Sequence, residues 1–337
     1  MNKIYTCKHN HNILVTKSDL SQLHVWDLSG GVAGSSFSTM GASSDAVSAL
    51  RPTAVLQGHA DEVCESNFSL DTSPASGRAR VLSGDREGMI LMWDIEANTP
   101  RTGAGGLGAQ QVSAVSEFRG HQATVEDVCF HPKSDVEFCS VGDDKRLLFW
   151  DERASKDPTL SMPQWSQCDL HCLDWNETDV NLLVTGTADG ETFVFDRRKL
   201  QRDKGSGAAL HKLHEHKDAV LRVGWLPGST THFASGGDDA SIYVWDLSRV
   251  GKILSDAEAE TGPAEIIFKH SGHRGSVQDL HWNPVDPWCM ASVSEDGEWA
   301  KTNTMQIWRP LDLLYKNDED CINSLAGLQD NFRHSFD

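Results

Sequence analysis

No stretch of this 337-residue chain approaches the ~20 consecutive apolar residues that a helix needs to cross a bilayer. The opening Met1-Asn-Lys-Ile-Tyr-Thr-Cys7 lacks the apolar run of a secretory leader, so export is not expected. Eight cysteines include no Cys-x-x-Cys pair. Cys129, Cys139 and Cys289 fall in strand-like runs, where a reduced thiol packs as a small hydrophobe, which points to the reducing cytosol or nucleus. Cys168, His171 and Cys172 alternate between the faces of one strand with no second ligand pair, so no metal is expected. Basic residues are scarce: 30 Lys and Arg stand against 49 Asp and Glu, a net charge of −19. That balance argues against direct nucleic-acid binding and would steer basic partners inward. The glycine run Gly103–Gly108 has no strand before it and no helix after it, so it cradles no phosphate. No carboxylate pair stands apart for acid–base work. Neither an enzyme nor a cofactor is expected.

What the chain has is a repeat. Trp26-Asp27, Trp93-Asp94, Trp150-Asp151 and Trp245-Asp246 end four units, and Phe195-Asp196 and Trp308-Arg309 end two degenerate ones. Gly58-His59, Gly120-His121, Glu215-His216 and Gly272-His273 are the starts. This is the WD40 signature, with four strands and one propeller blade per unit. His121, Ser140, Asp144 and Trp150 share their offsets with His216, Ser235, Asp239 and Trp245, and Thr185, Asp189 and Phe195 repeat the last three. A Ser-His-Asp set invites reading as a catalytic triad. A triad, however, occurs once per site, and this set recurs blade after blade, as a structural hydrogen-bond network does.

Between His and Trp, apolar residues alternate with period two, as in Val125–Phe130, Phe138–Val141 and Leu147–Trp150, and Asp143-Asp144 turns the chain. Residues 1–309 are therefore expected to form an all-β WD40 β-propeller with blade cores at about 2–28, 58–95, 120–152, 168–197, 216–247 and 273–309. Insertions fall at Asp71–Arg80 and Gly297–Asn303. Low-complexity linkers are expected at 30–52 and 98–114, an acidic loop at 253–265, a C-terminal helix at 310–328 with a stripe of Leu314, Ile322, Leu325 and Leu328, and a tail at 329–337. Eleven Trp and twelve Phe are enough to fill a core between blades.

Several segments go beyond what the repeat requires. They are Gly120-His-Gln-Ala-Thr-Val-Glu-Asp-Val-Cys-Phe-His-Pro132, Glu137–Asp144, Asp169–Asn176 and Phe195-Asp-Arg-Arg-Lys-Leu200. The closing run Gly272-His-Arg, Asp279–Pro284, Asp286–Trp288, Ser292–Asp296 and Gln306–Trp308 is the strongest. The chain resembles the retinoblastoma-binding/MSI-type histone-binding WD40 family, and within it the plant FVE-like branch. Members have seven blades and begin with a long helix and a first blade. Here Asn2-Lys3-Ile4 already resembles the second blade's inner strand, so an N-terminally shortened chain of about six blades is expected, with a last blade lacking its outer strand.

The resemblance implies a non-enzymatic scaffold that binds histones H3 and H4 in histone deacetylase, Polycomb-type or chromatin-assembly complexes. It implies transcriptional repression in the nucleus, with some protein in the cytoplasm. The H3 tail lies over positions three and five residues after each starting His. Here these are Glu62 and Cys64, Thr124 and Glu126, Ala219 and Leu221, and Ser276 and Gln278, with Asn2, Lys3 and His171 at the equivalent points of the other blades. Asn2, Glu62, Glu126, His171 and Leu221 are the candidate cradle, the glutamates suiting Lys or Arg through charge-assisted hydrogen bonds. Ala219 and Leu221 depart from the acid and aromatic of the animal members. Asp256, Glu258 and Glu260 match the family's acidic loop against the first helix of H4. A rival reading is a substrate receptor docking a cullin-4 adaptor: Trp150-Asp151-Glu152-Arg153 resembles the WDxR motif, and Phe195-Asp-Arg-Arg198 is a weaker copy.

Overall fold

The computed structural model describes residues 3–18, 20–29, 51–60, 69–74, 77–96, 109–162, 167–202, 209–255, 262–286, 288–295 and 303–310. The chain divides into two compact units, Met1–Val220 and Leu221–Asp337.

The first unit holds four sheets. The first contains β1 (Lys3–Thr6), β2 (Ile13–Lys17), β3 (Leu23–Asp27) and β4 (Ala54–Gln57). The second has β5 (Leu70–Thr72), β6 (Arg80–Gly84), β7 (Met89–Asp94) and β9 (Ser116–Arg119), while β8 (Gln110–Ser113) joins the first sheet. The third is β10 (Val125–Phe130), β11 (Glu137–Gly142), β12 (Leu147–Asp151) and β13 (Leu160–Met162). The fourth is β14 (Leu170–Trp175), β15 (Leu182–Thr187), β16 (Glu191–Asp196) and β17 (His211–His214), with the short helix α1 (Arg197–Arg202) between the last two. The second unit holds β18 (Val220–Trp225, whose first residue ends the first unit), β19 (His232–Gly237), β20 (Ile242–Asp246) and β21 (Ile266–His270). Its other sheet is β22 (Ser276–Trp282), β23 (Met290–Glu295) and β24 (Thr304–Trp308). Among the described residues these six sheets, antiparallel but for the β4–β8 pair and with almost no helix, are the all-β propeller architecture that the repeats require. Among the described residues the last blade has three strands.

Each blade is apolar because both faces of its middle strands are covered. In β11 and β12, Phe138, Cys139, Val141, Leu147, Leu148, Phe149 and Trp150 are all buried. Phe138 stacks on Trp150 at 5.7 Å, and Phe118 of the preceding blade meets both rings edge-on. Such offset and edge-on pairs favour the ring quadrupoles, and removing a buried Trp of this kind costs ~3–5 kcal/mol. Gly142 is required where it stands: a Cβ there would lie 2.2 Å from the Thr124 carbonyl oxygen.

Two boundaries differ from the sequence reading. The segment 98–114 is not linker throughout, because Gln110–Ser113 runs parallel to β4 in the register Leu56↔Val112. That register buries Val112 among Leu56, Val25 and Leu91 and fills the sheet edge. The insertion placed at Asp71–Arg80 is shorter, since Leu70–Thr72 is the inner strand and Arg80 begins β6. Most of 30–52, the residues 256–261, the insertion from 297 and the helix expected beyond Pro310 lie outside the described residues.

Candidate functional site

The inner strands of the first unit are laced side by side by buried polar groups. Thr72 Oγ1 donates to the Thr6 carbonyl at 3.1 Å, Phe130 N donates to Asp71 at 2.7 Å, and Leu173 N donates to Asp127 at 3.2 Å. Lys3 reaches from β1 to Asp127 at 3.0 Å, and the Lys17 ammonium is taken up by the Ser69 and Gly84 carbonyls. A buried cation is stable only when paired, and both amines have their partners.

On that platform the strand register breaks at a repeated point. In the first unit it shifts between Val125 and Asp127 in β10 and between Leu170 and Cys172 in β14; within the second unit, taken by itself, β22 shows the same shift between Val277 and Asp279. The residues at these bulges are Glu126, His171 and Gln278, three of the positions picked out five residues after the repeat start or at its equivalent. A bulge takes its residue out of the ladder and re-aims its side chain, a common device beside binding sites. Leu221 holds the same second position in β18. Asn2, Glu62 and Cys64, and likewise Asp256, Glu258 and Glu260 of the acidic loop, lie outside the described residues.

Glu126 is the electrostatic focus. It is half-buried, with Asp127 beside it and Asp143 on the β11–β12 turn. Burial first, and then the repulsion of those two carboxylates, push its carboxyl up to about 8, against a smaller opposing pull from Lys3 and Lys17. Asp143 is also raised, by burial and then by Asp169, in spite of its Thr124 hydrogen bond. Two carboxyls short of compensation, on a platform whose own lysines are spent, make a place for an incoming cation.

The blade networks sit beneath. His121 hydrogen-bonds Asp144 at 2.9 Å and Ser140 at 2.7 Å, and Trp150 Nε1 donates to Ser140 at 2.9 Å. Burial alone would raise Asp144, but the His121 bond and two backbone N–H groups hold it below the usual carboxylate range. In the second unit, Trp245 Nε1 donates to Ser235 at 2.8 Å, and Asp239 accepts from Ser241 N at 3.1 Å. His216, which belongs to the first unit, is buried. Two networks escaped the sequence reading. His59 bonds Asp85 and Ser83, both at 3.1 Å, but Asp85 stands eight residues before Trp93 where Asp144 stands six before Trp150. In the last blade, His273 bonds Ser292 at 2.7 Å and Ser294 at 2.9 Å, a serine replacing the aspartate. Their Gly-His starts were the signal; the altered spacing hid the rest.

In the turn after β12, Arg153 lies along Asp151 at the strand's end, Nε and Nη2 each donating at 2.9 Å, and it reaches Glu137 at 3.2 Å. Arg198 repeats this on Asp196 at 3.0 and 2.7 Å. Both arginine side chains are more than 60% exposed, at 64% and 61%. Trp150 is buried and holds the strand, so the exposed chemistry of the motif is Arg153 with Asp151. Among the described residues no cluster of three or more His, Cys, Asp or Glu side chains is arranged to hold a metal, and no helix is long and apolar enough to cross a membrane.

Comparison with known proteins matches residues 112–151, 207–246 and 264–299 to the WD domain, G-beta repeat. The chain is a WD40-repeat protein. It is similar to the WD-40 repeat-containing protein MSI4 of Arabidopsis thaliana, 36% identical over 342 residues that cover 96% of this chain and 64% of that protein. The chain spans somewhat less than two thirds of this relative's length.

Proposed function

We propose that this WD40 chain is a non-catalytic scaffold that binds the basic tail of histone H3, and histone H4, as a subunit of chromatin-modifying or chromatin-assembly complexes acting in transcriptional repression in the nucleus. The observation that carries the reading is Glu126: a bulged, half-buried carboxyl beside Asp143, with the neighbouring lysines committed elsewhere. A Lys or Arg side chain laid there gains a charge-assisted hydrogen bond and relieves the repulsion among carboxylates. The overall charge of −19 favours encounter with a basic tail. The likeness to the MSI type supports the same reading. The test is fluorescence anisotropy of a labelled unmodified H3 N-terminal peptide, at low and physiological salt. Saturable binding that survives physiological salt and is lost in Glu126→Lys supports it; equal binding by the two proteins sinks it.

A second reading rests on a different observation. Arg153 and Arg198 are pre-formed, exposed forks on neighbouring blades, suited to a carboxylate-bearing partner such as a cullin-4 adaptor. Arg153→Asp is expected to abolish adaptor capture while leaving H3 peptide binding intact. Loss of both, or of neither, contradicts two separate surfaces.

A further inference from the structure

A buried and a partly buried thiol belong to one register pair. Cys129 on β10 and Cys139 on β11 are direct partners in the antiparallel ladder. Direct partners project to the same face of a sheet. The pair two residues away, His131 and Glu137, is joined by a 2.9 Å backbone hydrogen bond, which puts Cys129 and Cys139 in the same hydrogen-bonded phase of the ladder. Such pairs have Cα atoms ~5.5 Å apart, within the Cα range of a disulfide, and their Cβ atoms, ~5.5 Å apart, need to close by only ~1 Å for the bridge to form. The Cys139 thiol already points back across the pair, its Sγ 3.7 Å from the Cys129 carbonyl oxygen. Cys139 is sealed in the core with Leu173, Trp175 and Phe195, whereas Cys129 packs at the edge of that cluster and keeps some exposure.

We propose that Cys129 and Cys139 form a latent cross-strand disulfide, closed by hydrogen peroxide, that locks β10 to β11 directly beside the Glu126 bulge. Cys129, the accessible partner, loses its proton to solvent, and its sulfur attacks peroxide. An S–O bond forms, the O–O bond breaks, and the leaving hydroxide becomes water. The Cys139 sulfur then displaces the sulfenic oxygen, which leaves as a second water as its thiol proton is lost. The two thiols give up two electrons, and peroxide is reduced to two waters. Burial pushes both thiols well above the ordinary range, so thiolate is scarce and closure is slow beside that of an exposed low-pKa sensor.

The test is peroxide treatment of the native full chain, alkylation of remaining thiols, and non-reducing tryptic mass spectrometry. Cleavage after Arg119, Lys133 and Lys145 places the two cysteines in separate peptides, 120–133 and 134–145. The expected result is a linked pair of these peptides, two hydrogens lighter than their sum and separated by reductant. In Cys139→Ser the sulfenic acid is stranded on Cys129 and is trapped by dimedone. Full alkylation of both cysteines in the treated wild type, or linkage of either to another cysteine, overturns the proposal.

Discussion

At the scale of single residues, the same polar group has opposite worth depending on its partners. Ser140 accepts from Trp150 and bonds His121, so Ser140→Ala leaves two buried ring nitrogens without their partner. The expected loss is about 1–3 kcal/mol, read as a lower denaturation midpoint. Thr185 occupies the corresponding place in the fourth blade, where Phe195 replaces the Trp and no His precedes it. Its buried hydroxyl has no hydrogen-bond partner among the described residues. Thr185→Val keeps the shape and removes that hydroxyl, so it is expected to be neutral or stabilising by up to ~1 kcal/mol. A clear loss in both variants would contradict the network account. Glu126 gives the pH dependence. Its folded carboxyl is raised to about 8 from an ordinary value near 4.5. The folded state therefore binds this proton more tightly than the unfolded one, and stability falls as pH rises from 4.5 toward 8. Glu126→Gln removes that slope. The variant is expected to come close to wild type near pH 4.5 and to exceed it by a few kcal/mol, up to about 4 by full linkage, near pH 8 in thermal melts.

At the scale of elements, turns decide how blades meet. Gly88 has φ +82°, and a Cβ there would come 2.6 Å from the His121 carbonyl oxygen. Gly88→Ala meets both strain and a backbone clash and is expected to cost ~1–2 kcal/mol or more, measured by chemical denaturation. The strands themselves were legible because period-two alternation and fixed offsets from His to Trp are local features, as in His121, Ser140, Asp144 and Trp150. Where tertiary pairing decided the outcome, the residues were silent. Gln110–Ser113 follows a glycine-rich run and becomes a strand only because β4 offers an open edge. Asp85 replaces the expected aspartate from a different offset, which only the folded turn discloses. The Glu126 position was marked by spacing, but its displaced register, its raised carboxyl and the commitment of Lys3 and Lys17 depend on strands more than a hundred residues apart in sequence, such as β1 and β10.

At the scale of the molecule, an acidic WD40 scaffold should bind a basic tail in a manner coupled to both salt and protons. Salt screens the general attraction. The proton coupling is centred on Glu126: its carboxyl, raised to about 8, is mostly protonated at pH 7 and must ionise to pair with a cation. Affinity for the H3 peptide is accordingly expected to rise by roughly tenfold or more from pH 6.5 to pH 8.5, and this slope should vanish in Glu126→Gln. The most direct measurement is titration calorimetry of the H3 peptide at pH 7 in two buffers of different ionisation enthalpy, which counts the protons released on binding. The account predicts release of close to one proton by the wild type and essentially none by Glu126→Gln, which should also bind more weakly. Binding of equal strength by both proteins, with no difference between buffers, would contradict it.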